Sequence, residues 1–330
     1  MGRTRGIATS TGCWTSWPTT CAPWKSPQGS VAEFALIQRY FSGLSRPGQD
    51  VLLGIGDDCA LLQPPAGQQL ATTMDTLIAG CHFLPDADPA SVGHKSLAVN
   101  LSDLAAMGAT PAWALLSLSM PRIDDDWLQG FVQGFRRLAS QFGVQLVGGD
   151  TCQGPLSITL QLTGFLGAEK AMLRANAKPG DLVCVTGTLG DAALALRLLQ
   201  AGEDPGGLRA RLETPLPRVE EGRMLADLGV RTCIDISDGL VADLGHICER
   251  SSCAARIEVA RLPLSSAFRG HAGDPETALA GGDDYELCFT LPPSLQPELE
   301  ALSFDITCIG EIWAGRGVEL VDETGNSLAL

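Results

Sequence analysis

The side chains that offer the most chemistry are aspartates placed where apolar stretches give way to turns: Asp57 and Asp58, Asp75, Asp150, Asp235 and Asp238, Asp283 and Asp284. Asp103 joins them three residues after Asn100, on the same face of a predicted helix. One such turn is ordinary turn chemistry. A whole set is harder to assign that way. Strand ends at one edge of a sheet converge, and crowded carboxylates raise one another's pKa unless cations neutralise them. Hard oxygen donors without a His/Cys set favour Mg²⁺ over Zn²⁺. Mg²⁺ held by carboxylates completes its shell with water and phosphate oxygens. The chemistry suggested is therefore cation-assisted handling of phosphates. The usual phosphate motifs are missing. Lys95 follows Gly93-His94 without a P-loop's upstream glycine, and Gly54-Ile-Gly56 lacks the third glycine of the dinucleotide fingerprint.

These residues need elements to hold them. Residues 32–42 space Phe34, Ile37, Gln38 and Phe41 for one helical face. Strand-like runs cover 51–55 and 69–74, each followed by an acidic turn. Residues 94–107 predict a helix closed by Gly108, 112–120 a strand, and 126–142 a helix ended by Gly143. A short strand over 144–147 enters Gly148-Gly149-Asp150, and 156–166 alternates as another strand. The chain turns polar near 171–179, which sets a domain boundary. Beyond it come strand 181–186, Gly187-Thr188-Leu189-Gly190 and helix 191–199, a pattern that leaves backbone N–H groups free at a helix N-terminus. Helix 219–228 and strand 231–236 follow, then Ser237/Asp238 as the cap of a helix to about residue 250. Strands over 255–259 and 285–290 come next. The class is α/β (α+β), without a strict βαβ rhythm.

The 330 residues are 45% hydrophobic and 18% charged, a globular composition. The net charge is −15 and only four residues are lysine, which argues against nucleic acid or an anionic membrane as partner. No apolar run is long enough for a transmembrane helix. Eleven cysteines with no C-x-x-C pair read as buried free thiols of a cytoplasmic protein. Residues 1–30 hold three of the six tryptophans and no acid, and read as a poorly ordered extension. Residues 31–170 then form an N-terminal domain and 171–330 a C-terminal one.

Six blocks carry a resemblance. They start at Gly54-Ile-Gly-Asp-Asp-Cys-Ala, Asp75-Thr-Leu-Ile-Ala-Gly-Cys-His, His94-Lys-Ser-Leu-Ala-Val-Asn-Leu-Ser-Asp, Gly148-Gly-Asp-Thr, Asp235-Ile-Ser-Asp-Gly-Leu and Gly281-Gly-Asp-Asp-Tyr-Glu-Leu. In this order they resemble the thiamine-monophosphate kinase family, from about residue 33 to the end. The resemblance implies a two-domain aminoimidazole ribonucleotide synthetase-like fold whose N-terminal domains pair in a homodimer. It implies phosphoryl transfer from ATP to thiamine phosphate, giving thiamine diphosphate, with several Mg²⁺ ions.

The resemblance also assigns roles. Asp58, Thr73, Met74, Asp75, Asp103, Asp150, Asp235 and Asp238 hold Mg²⁺, with Asp103 bridging. Gly149, Asp150, Arg174 and Ser237 meet ATP. His82 and Asp283 contact thiamine phosphate. Met74 stands where the family has Thr, and Asp283 where Glu is common. The family's aromatic residue that stacks on the thiamine ring falls beyond Leu330. Other readings stay open: a different ATP-dependent enzyme of the superfamily, a catalytically impaired Mg·ATP-binding relative, or a Mg²⁺-dependent phosphatase.

Overall fold

The computed structural model describes residues 35–328. The extension over residues 1–30 lies outside them. The N-terminal half runs β1 (Val51–Leu53), β2 (Leu61–Leu62), β3 (Gln68–Ile78), α1 (Pro89–Ala106), β4 (Thr110–Met120), α2 (Asp125–Phe142), β5 (Gln145–Gln153) and β6 (Ser157–Gly167). The long strands form a four-stranded sheet in the order β3-β6-β4-β5, antiparallel except for the parallel β4–β5 pair.

The C-terminal half runs β7 (Leu182–Thr186), α3 (Asp191–Gln200), α4 (Arg209–Glu213), α5 (Val219–Leu228), β8 (Thr232–Asp235), α6 (Leu240–Ser251) and β9 (Ala254–Glu258). It continues with α7 (Ser266–Gly270), α8 (Pro275–Ala280), β10 (Leu287–Leu291), α9 (Gln296–Glu300), β11 (Ile306–Trp313), β12 (Gly317–Val321) and β13 (Ser327–Leu328). Its strands form one seven-stranded sheet, β13-β12-β9-β11-β7-β10-β8.

α1 is the element around which both halves gather. Pro89 opens it in the first turn, and Asp88 caps it by accepting the Ser91 backbone N–H at 3.0 Å. Sequence reading starts this helix five residues late because the polar cap precedes the apolar run. From Val92 to Ala106 almost every side chain is buried, polar ones included. A helix buried on all sides has no solvent stripe, and α1 packs on β3, β6, α2, α5 and β8. Its crossing with α2 is close: a Cβ at Gly134 would collide with the Ala90 carbonyl. The apolar core follows it, running from Leu97, Leu101 and Leu104 through Phe131 and Phe135 to Leu225, Leu287 and Phe289.

Several local expectations are corrected. The described part of the predicted helix over 32–42 includes a π-helical turn, Ile37–Phe41, followed by a 3-10 turn, Ser42–Leu44. Ser237 and Asp238 do not cap α6. Instead the Asp243 carboxylate reaches back from the first turn and accepts the N–H groups of Ser237, Asp238 and Gly239 at 3.0–3.1 Å. The N-terminus of α3 is not free either, because Asp284 takes the Gly190 N–H through both oxygens at 2.9 and 3.0 Å. Cys184 on β7 and Cys308 on β11 sit opposite each other and are joined as a disulfide, against the expectation of free thiols throughout.

Candidate active site

Side chains alternate along β3. Thr73, Asp75 and Leu77 turn toward α1, whereas Thr72, Met74 and Thr76 are exposed on the opposite face. The Thr73 hydroxyl donates to Asp103 Oδ2 on α1. One residue earlier on α1, Ser102 Oγ donates across the domain boundary to Asp235 Oδ2 at 2.8 Å. Asp235 is the last residue of β8. Asp75, Asp103 and Asp235 thus form one centre fed by both halves of the chain.

Burial, and then the Asp103 charge, push the Asp75 carboxyl up to about 6. Burial and Asp103 also push Asp235 up to about 7, against the Ser102 hydrogen bond. Asp103 is raised by burial, with the Thr73 hydroxyl and the Arg174 guanidinium pulling the other way. Carboxylates held above their ordinary range by burial and by one another fit a hard divalent cation. Among the described residues no three His, Cys, Asp or Glu side chains converge tightly enough to enclose a metal ion by themselves. Mg²⁺ bound there would be held through one or two carboxylates and keep water or phosphate oxygens in its remaining positions.

The raised values carry a pH dependence. Unfolded, these carboxyls titrate near 4. Folded, Asp75 and Asp235 titrate near 6 and 7, so the folded state binds more protons. Their contribution to stability is full below about pH 4 and is lost as pH rises through the folded values. The metal-free protein is therefore expected to melt at a lower temperature at pH 8 than at pH 5 (roughly the ends of that window), with Mg²⁺ flattening the fall. Scanning calorimetry with EDTA or MgCl₂ checks this, and a metal-free midpoint that climbs over the window refutes it.

The remaining expected ligands are placed differently. Asp58 lies exposed between β1 and β2, its N–H bonded to the Asp57 carboxylate at 2.8 Å. Asp75 and Asp150 are not at strand ends but inside β3 and β5. Asp150 stands level with Ser117, which is level with Thr159 and Thr76, so its register puts it on the face opposite Asp75. β5 can run on there because Gly149 adopts φ +146°, and any Cβ would strike the Leu116 carbonyl. Met74 is 66% exposed on that same outer face, so only its backbone carbonyl is left to serve the centre. Arg174 is exposed yet close enough for its charge to act on Asp103. Ser237 is half-buried and Asp238 exposed, in the segment between β8 and α6.

Beside the carboxylate centre opens a cavity of about 260 Å³. Its walls include His82 and Phe83 from the turn after β3, Lys95 from α1, Leu196 from α3, and Asp283 and Tyr285 from the loop before β10. The two expected substrate contacts, His82 and Asp283, are thus brought to one space. The Ile78 N–H donates to His82 Nδ1 at 3.0 Å, which leaves Nε2 as the donor of a neutral ring. Asp283 accepts Lys95 Nζ at 2.7 Å and the Tyr285 hydroxyl at 2.8 Å. Burial, Asp283 and more weakly Asp235 and Asp75 raise the Tyr285 hydroxyl well above its ordinary pKa.

Sequence reading passed over Lys95, Ser102 and Tyr285. For Lys95 a signal existed. Its helical neighbours at three and four residues are Ser91, Val92, Ala98 and Val99, so an ammonium there has no local acid and needs a distant one. Ser102 depends on a contact across the domain boundary, which no spacing announces, whereas Tyr285 bonds Asp283 two residues away in its own loop.

The AIR synthase related protein family matches in two parts, its N-terminal domain over residues 56–166 and its C-terminal domain over 178–323. The thiamine-monophosphate kinase of Escherichia coli strain K12 is 49% identical over 299 residues, which is 86% of this chain and 91% of the relative. The crystal structure of thiamine-monophosphate kinase from Stenotrophomonas maltophilia K279a superposes with a TM-score of 0.82 at 46% identity, covering 90% of this chain and 98% of that one. The structure of AaThiL complexed with AMPPCP and TMP gives a TM-score of 0.74 at 32% identity, over 81% and 87%. With both halves of the fold matched and near-full-length identity at this level, the chain belongs to the thiamine-monophosphate kinase family.

Proposed function

We propose that this chain transfers the γ-phosphoryl group of ATP to the phosphate of thiamine phosphate, releasing ADP and thiamine diphosphate. The observation that carries the reading is a shared wall. Leu77, two residues from Asp75 on the same face of β3, lines the cavity that holds His82, Asp283 and Tyr285. Acceptor and transfer centre are therefore neighbours across the domain boundary. The AaThiL structure, complexed with AMPPCP and TMP, supports an ATP-and-phosphate pairing in this fold.

The acceptor phosphate is already ionised at neutral pH, so no strong base is needed. Transfer is in line: the phosphate oxygen forms a bond to the γ-phosphorus as the bond to the bridging oxygen of ADP breaks. Catalysis then rests on positioning and charge neutralisation. Asp75, Asp103 and Asp235 would hold Mg²⁺, one or two carboxylates to an ion, with Thr73 orienting Asp103 and Ser102 orienting Asp235. When bound, Mg²⁺ neutralises the phosphate oxygens that approach these acids. Asp58, Asp238 and the Met74 carbonyl would supply further oxygens at the rim, whereas Asp150, on the opposite face of its sheet, would not reach this centre. Arg174, Ser237 and Gly149 meet ATP. His82 donates Nε2–H, and Asp283 receives the ring system of the acceptor.

The division of labour follows the halves: residues 31–170 bear most of the ATP and Mg²⁺ side and the dimer contact, and 171–330 close the cavity. The exposed face of the four-stranded sheet, with Leu70, Met74, Ile78 and Leu115 uncovered, is the surface offered to a second copy. The reaction is placed in the cytoplasm, where ATP and Mg²⁺ are at hand. Among the described residues no helix is long and apolar enough to cross a membrane. The test is ADP release with and without thiamine phosphate across a Mg²⁺ series. Release that needs both supports the reading. Release indifferent to thiamine phosphate points to a phosphatase and overturns it, as does ATP binding without turnover.

A further inference from the structure

Lys95 is one of four lysines in the chain, and its side chain is 5% exposed. A buried ammonium is costly unless a charged partner meets it. Among the described residues its one ion-pair partner is Asp283 Oδ2, at 2.7 Å and on the other side of the domain boundary. The loop carrying Asp283 is built to present it. Along Asp283-Asp284-Tyr285-Glu286 the side chains alternate. Asp284 and Glu286 turn into the C-terminal domain, to the Gly190 N–H and to Arg211 and Arg218. Asp283 and Tyr285 turn into the cavity. Both adopt positive φ, +67° and +50°, which non-glycine residues seldom keep without a reason. The backbone is pinned there by the Asp283 and Tyr285 N–H groups, which donate to the carbonyls of Ser237 at 2.9 Å and Ile236 at 2.8 Å. Each Asp283 oxygen accepts one donor, Lys95 or Tyr285, and keeps a further lone pair for a ligand.

We propose that Lys95 is a positioning residue for thiamine phosphate: it fixes the direction of the Asp283 carboxylate and cancels its charge. The cavity then selects a ligand that brings its own phosphate, in preference to the phosphate-free thiamine cation, which a bare carboxylate would attract. This rests on the reading that the cavity takes thiamine phosphate. A purely structural clamp between domains would need neither positive φ nor a place in the cavity wall.

The experiment is steady-state ADP release by the full chain, varying thiamine phosphate and ATP separately, with thiamine as a competing ligand. Lys95→Met is expected to raise the KM for thiamine phosphate by about tenfold or more, with kcat and the KM for ATP held within about threefold. Thiamine becomes a stronger competitor in that variant. Lys95→Arg recovers part of the loss. In an Asp283→Asn background, Lys95→Met adds little, because the group it positions has lost its charge. An unchanged KM for thiamine phosphate, an equal rise in the KM for ATP, or losses that multiply in the double variant overturn the proposal. Thermal midpoints show whether Lys95→Met folds. If it does not, Lys95→Arg and Asp283→Asn decide, and wild-type KM values for thiamine phosphate in both reject the role. A wild-type chain that releases no ADP in response to thiamine phosphate rejects the kinase reading itself, whatever the variants do.

Discussion

Replacing Asp103 by Asn is expected to lower kcat/KM by about three orders of magnitude or more while raising the melting temperature of the metal-free protein. Both effects have one source. Asp103 is the charge that Asp75 and Asp235 have in common: it raises each of them, and it sits under the Thr73 hydroxyl and near Arg174. Asparagine keeps the size and one oxygen but removes the charge, so the centre loses its grip on a cation. The same change relieves repulsion among buried carboxylates when no cation is present. ADP release at saturating Mg²⁺ and calorimetry in EDTA read the two arms. Near-normal turnover, or a metal-free protein that melts lower than wild type, contradicts a shared three-carboxylate centre.

The second large effect is on stability. Glu286 is fully buried and accepts Arg218 Nε at 2.6 Å and Nη2 at 2.7 Å, Arg211 Nη2 at 2.6 Å, and the Thr186 hydroxyl at 2.6 Å. Burial alone would raise its carboxyl, but Arg218 and Arg211 overcome that and hold it below the ordinary range. Glu286→Ala removes the main partner of two largely buried guanidinium groups, leaving Arg218 with Glu221 and Arg211 with Asp191, and is expected to cost about 3–5 kcal/mol. Glu286→Gln keeps the shape and one acceptor and should cost less, by roughly half. Urea unfolding followed by circular dichroism measures both. An alanine variant within about 1 kcal/mol of wild type would show that water replaces the carboxylate. The loss should reach the cavity too, since Glu286 adjoins Tyr285.

Much of the fold was legible in the residues because its elements are long and periodic. α2 ends at Gly143 and α5 covers Val219–Leu228, as apolar spacing and a terminal glycine indicate. The strands around the site were harder for a physical reason. Acid and glycine in Thr-Met-Asp-Thr and Gly-Gly-Asp-Thr look like punctuation, yet β3 and β5 continue through them. Continuation is permitted by partners, since β6 pairs with every residue of β3 and Gly149 lets β5 press on Leu116. Local sequence holds no record of those partners. The same limit explains the misplaced cap at Ser237 and Asp238, where Asp243 answers from within the helix. Of the candidate site, residue types and the Asp103 hub were readable. Which face Asp150 occupies was not, because the register of β5 against β4 shifts by one residue between Leu146 and Gly148.

α1 also acts as a ruler. Lys95 at the cavity and Asp103 at the carboxylate centre lie eight residues apart on one buried helix, about 12 Å along its axis. On the proposed function, the length of acceptor that can span from cavity to carboxylate centre is therefore counted in residues. One residue inserted between them would move the two ends apart by about 1.5 Å and turn them by about 100° relative to each other. A substrate with a longer or shorter arm calls for a different count in this helix, which side-chain changes in the pocket alone cannot supply.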